Sequence, residues 1–153
     1  MKITMEWAWT ALAHHLPSDP AVWDPSGVEA AVARHQSDLV LVPEQPAPDT
    51  AWRAAAFLHT LAVCPALESP MNEFYAAAAT RSYLRVAGAR HLPSPEDLGD
   101  LVEAAKLGRA DIGAVAKELR AAIEEPSPPA ALSLDLGAGG TGTGAGSGDA
   151  DGS

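Results

Sequence analysis

Apolar residues recur at helical intervals along most of this chain, and clusters of proline and glycine cut them into blocks. Glu6 to His15 reads as a first helix, with Trp7, Ala11 and His14 near one face and Trp9, Leu12 and Ala13 near another. Pro17 and Pro20 end it. Ahead of it, Lys2-Ile3-Thr4-Met5 is long enough for one short strand. Asp24-Pro25-Ser26-Gly27 opens a second helix through an Asp or Ser cap with proline in the first turn. Val28, Ala31, Val32, His35 and Leu39 supply its apolar spacing. Pro43, Pro46 and Pro48 then form a connection that no helix crosses.

The third block, TAWRAAAFLHTLAV, is capped by Thr50 or Asp49 and is apolar nearly all round, the mark of a buried helix. A fourth runs from about Pro70 to Ala87, carries a narrow polar stripe of Glu73, Arg81 and Arg85, and stops at Gly88. Ser94-Pro95-Glu96-Asp97 opens a fifth that Gly108 closes. Asp111 opens a sixth, with Ile112, Val115, Leu119 and Ile123 on its inward stripe. Strand-like alternation is scarce. The pattern therefore predicts an all-α bundle of about six helices.

Between the third and fourth helices lies CPALESPMN. Serine followed by proline reads as N-cap and first helical residue, which places Asn72 at the third position with Glu73 next. The start of a buried helix presents unpaired N–H groups and partial positive charge, so Ser69 and Asn72 form a candidate anion site. An ordinary helix–helix corner, with Glu68 and Glu73 complementing the helix dipole, explains the same residues. His14 and His15 are adjacent and make a poor metal pair. His59 reads as a hydrogen-bonded core histidine, and Cys64 as a small buried hydrophobe. No residue cluster has metal-ligand spacing.

Composition bounds the rest. The 153 residues suffice for one core, expected over residues 1–125. From Pro126 to Ser153 the chain turns proline- and then glycine-rich, which predicts a disordered acidic tail. The GAGGTGTGAG run in that tail lacks the strand and helix that flank a phosphate loop. Twenty acidic residues against ten basic ones give a formal charge of −10. Such a balance argues against nucleic-acid binding, which relies on Lys and Arg displacing counterions. The N-terminus lacks the apolar core of a signal peptide, and no run of about 20 apolar residues would span a membrane. One cysteine excludes an internal disulfide. A cytoplasmic location without membrane contact is the expectation.

Taken in order, DPSGVEAAVARH, the proline-broken linker, WRAAAFLHTLAVCPALESPMN, YAAAATRSYLRVAG and EDLGDLVEAAKLGRADIGAVAKELR resemble the Fic/Doc family, above all its small Doc-type toxins. The resemblance spans residues from about 16 to 123. It implies the toxin component of a toxin–antitoxin system, with an antitoxin as partner and a translation factor as target. The family's enzymes move a phosphate-containing group from a nucleotide, here ATP with Mg2+, to a protein hydroxyl. Their loop reads H-P-F-x-D-G-N-K-R: the histidine is the general base, the acid holds the metal, and Asn, Lys and Arg hold phosphates.

This chain departs from that loop. Pro65 or Ala66, depending on the placing of a gap, replaces the histidine. Asn72 matches the asparagine, Glu73 and Phe74 stand where Lys and Arg belong, and Glu68 is the nearest acid. On the resemblance, any surviving catalysis rests on Asn72 and Glu68. Losing a general base costs about 10²–10⁴ in rate. One charge pair ~6 Å apart at an effective dielectric of ~20 is worth roughly 3 kcal/mol before screening. Exchanging Lys and Arg for Glu and Phe thus turns attraction for phosphate into indifference or repulsion. The expectation is a degenerate, non-catalytic family member that acts by binding. A helical adaptor unrelated to toxins is the alternative.

Overall fold

The computed structural model describes residues 1–38 and 47–124. Leu39, the linker through Pro43 and Pro46, and the tail from Pro126 lie outside the described residues. Within the described residues six helices succeed one another: α1 (Met5–His15), α2 (Pro25–Gln36), α3 (Thr50–Val63), α4 (Met71–Val86), α5 (Pro95–Lys106) and α6 (Ile112–Glu124). The all-α expectation holds.

Most helix starts carry polar caps; those at Asp24, Asp49 and Ser94 are the ones the sequence announces, while Thr4 lies in the segment read as a strand. Thr4, Asp24, Asp49 and Ser94 each accept a hydrogen bond from an N–H of the first turn of α1, α2, α3 and α5 respectively. Asp49 also accepts both guanidinium bonds of Arg120, at 2.8 and 3.1 Å, and so fastens α6 to the start of α3. At the other end of α4, Gly88 takes φ 84°, and Ala89 N–H reaches back to the Leu84 carbonyl. That is the glycine stop the sequence predicts.

α3 is the centre of the bundle, packed against α2, α4, α5 and α6. Its residues Ala54, Ala55, Ala56, Phe57, Leu58 and Leu61 are fully buried. Alanine on so many faces lets neighbouring helices approach closely all round, as the unbroken apolar pattern requires. α1 lies across α2 and α4. Two tyrosines of α4 hold this end of the chain: Tyr75 donates its hydroxyl to the Ala8 carbonyl and Tyr83 to that of Met1, at 2.8 and 3.1 Å.

The short N-terminal strand does not form. Ile3 is buried, but its backbone finds side chains in place of a neighbouring strand. Its N–H donates to His35 Nε2 at 2.7 Å, and its carbonyl accepts from Gln36 Nε2 at 2.7 Å. The end of α2 thus supplies the donor and the acceptor that a second strand would have offered.

Candidate functional site

The α3–α4 corner is the first place to look for chemistry. α3 must stop where it does because residue 65 is proline. Leu61 C=O would bond the N–H of residue 65 in a continuing helix, and Pro65 has none. Asn72 repairs the loss: its Nδ2 donates to the Leu61 carbonyl at 2.9 Å. Its Oδ1 accepts from the N–H groups of Ala66 and Leu67 at 3.0 and 3.4 Å. The side chain, only 2% exposed, is committed to binding the corner together.

From outside, the segment that leads into α2 holds the same corner. Val22 and Leu67 form an isolated antiparallel bridge, and Trp23 N–H donates to the Ala66 carbonyl at 2.8 Å. Gly27 lets the two stretches of chain close up: a Cβ there would lie 2.4 Å from the Cys64 carbonyl oxygen.

The start of α4 lies one residue later than the serine–proline pair predicts. Pro70 is the N-cap, with no side-chain capping bond, and α4 begins at Met71, so Asn72 is the second helical residue. The Ser69–Pro70 peptide is cis. Asn72 N–H is bonded to the Glu68 carbonyl at 3.1 Å. Lys106 of α5 donates to Glu73 Oε1 at 2.8 Å. Partial burial pushes the Glu73 carboxyl up, but Lys106, its own backbone N–H and Ser69 together hold it below the usual range. A carboxylate therefore already occupies the first turn. Ser69 and Glu68 are exposed while the Asn72 amide faces inward, so the candidate residues do not converge on one point.

Those residues do not fit a nucleotide with its metal. The Asn72 amide is engaged with backbone, the N-terminal turn of α4 carries negative charge, and Glu68 is the only acid of the Cys64–Asn72 corner. Among the described residues no group of three His, Cys, Asp or Glu side chains is placed to hold a metal ion.

Cys64 is exposed at the C-cap of α3, not buried: its N–H closes on the Thr60 carbonyl, and the chain turns outward to Pro65. His59 is half-buried. His14 and His15 meet edge to face with ring centroids 5.0 Å apart. Among the described residues no helix is long and apolar enough to cross a membrane.

A cleft that the sequence pattern does not announce opens along the outer face of α4, between the end of α1 and the first half of α5. Its volume is about 390 Å³. Phe74, Ala77 and Ala78 of α4 and Pro95 and Gly99 of α5 give it apolar surface, Arg81, Ser82 and Arg85 line it toward the end of α4, Glu73 lines it beside Phe74, and His15 reaches in from α1. His15 Nε2 and Ser82 Oγ are 2.9 Å apart. Partial burial, then His14 and Arg85, lower the His15 pKa from its ordinary value. Sequence spacing reveals the stripe of Glu73, Arg81 and Arg85 but not the cleft, because His15 and Gly99 come from other helices.

No protein-family model matches the chain, and no curated protein matches it in sequence.

Proposed function

We propose that this chain is a Fic/Doc-like protein of a toxin–antitoxin system that has lost the family's transfer chemistry and acts by binding. The observation that carries the loss is the commitment of Asn72. The side chain that would face phosphate is turned inward, holding the Leu61 carbonyl and the Ala66 and Leu67 N–H groups. Glu73, in the register of the family's lysine, sets a carboxylate where a phosphate would need a cation. The lineage rests on the order of the helical blocks around the corner.

Incubation of the purified protein with labelled ATP, Mg2+ and cell lysate tests the loss of chemistry. No labelled protein is expected. Glu68→Ala is the clean comparison, since Glu68 is exposed and its removal leaves the core intact. Transfer by the unaltered protein that disappears in Glu68→Ala would overturn the reading. A neighbouring reading frame for a short antitoxin-like protein whose product co-purifies with this one would support the lineage. An adaptor of other descent would bring no such partner.

A further inference from the structure

We propose that the cleft on the outer face of α4 binds a small amphiphilic monocarboxylate, a single anionic head on an alkyl body. The proposal is independent of the toxin-system reading. Three observations converge on it.

The first is charge. In a chain of 20 acids and 10 bases, Arg81 and Arg85 stand side by side without a carboxylate partner among the described residues. Arg81 is fixed in place by its Nε, which donates to the Pro93 carbonyl at 3.0 Å. Its terminal nitrogens remain for an anion, next to Arg85, the Ser82 hydroxyl and the His15 ring. A planar guanidinium presents paired donors that suit a carboxylate.

The second is the shape of the apolar part. From Arg85 to Phe74 the helix runs eleven residues, roughly 16 Å at 1.5 Å per residue. Between the arginines and the half-exposed ring of Phe74 the lining on α4 is Ala77 and Ala78, and the Lys106-bound carboxylate of Glu73 lies beside Phe74. Pockets of this size with an apolar lining and a few polar groups at one end are the usual form of small-molecule sites. At the far end Glu73 is held by Lys106, which leaves no cation for a second anionic head. The cleft therefore has a direction: head at Arg81 and Arg85, body toward Phe74.

The third is Gly99. It lies inside α5, where glycine weakens a helix, and yet no close packing requires it. A Cβ at this position meets nothing within 4 Å. The missing side chain leaves the wall of the cleft open.

The test is calorimetric titration of the full chain at pH 7.5 with octanoate, acetate and octanol. Octanoate is expected to bind saturably, with acetate and octanol each at least tenfold weaker, because each lacks one half of the match. Arg85→Gln, an exposed substitution, is expected to weaken octanoate at least tenfold. Gly99→Leu is expected to abolish saturable binding while leaving the thermal midpoint unchanged or higher. Octanol binding as tightly as octanoate would overturn the proposal. So would octanoate affinity unchanged in Arg85→Gln, or no saturable binding of octanoate to the unaltered protein.

Discussion

The His35 ring sits edge-on to Tyr83 and Phe57, at centroid distances of 4.8 and 6.4 Å, and both of its nitrogens are engaged. Nε2 accepts from Ile3 N–H, so the proton is on Nδ1, which donates to the Arg53 carbonyl at 2.9 Å. Only the neutral ring can do both. Burial lowers its pKa from 6.5 to about 4; the Arg53 carbonyl favours the charged form, while Arg53, the N-terminal amine and Lys2 oppose it. Between those two values the unfolded chain binds more protons than the folded one. Stability therefore rises with pH across the window, is complete above the unfolded value, and drains as pH falls toward the folded one. The whole shift corresponds to about 3 kcal/mol. Asp38, held by Lys2 and Arg53 at a pKa of about 2, weakens only at lower pH. Urea unfolding between pH 6.5 and 5 is expected to show the slope in the unaltered protein. His35→Gln is expected to flatten it.

At the scale of the element, the α3–α4 corner depends on one glycine in a different helix. Gly27→Ala would gain up to about 1 kcal/mol of helix propensity. Against that, the new methyl would collide with the Cys64 carbonyl, and overpacking of this kind costs about 1–3 kcal/mol. The carbonyl has little room to yield, because it is followed by Pro65 and then by Ala66, which is tied by both its N–H and its C=O. The clash should win: a net loss of stability is expected in thermal unfolding, with faster hydrogen exchange at Ala66 N–H. Sequence patterning reveals the corner's existence, since Pro65 and Pro70 allow no continuous helix, and it reveals all six helices. It does not reveal that Asn72 faces inward. The partners of that side chain lie on both sides of the turn, and a proline N-cap shifts the register by one. Cys64 escapes the pattern for a related reason: an apolar block predicts burial, but a C-cap residue is turned by its neighbour, here Pro65. The α4 cleft is illegible because three helices build it, and pattern within one helix cannot show what faces it from another.

Taken as a whole, the bundle has no separable half. α3 touches α2, α4, α5 and α6, while Tyr75 and Tyr83 bind the N-terminal segment to α4 and Arg120 binds α6 to Asp49. With the contacts converging on one central helix, the described residues are expected to unfold as a unit. Calorimetric and van't Hoff enthalpies should agree, and no separate transition of α5 and α6 should appear. The lone thiol adds an experimental convenience. Cys64 keeps its carbonyl wedged against Gly27 while its residue faces solvent. A maleimide dye coupled there would ride on the outside of the latch, reporting each time the corner springs open without obstructing its closing.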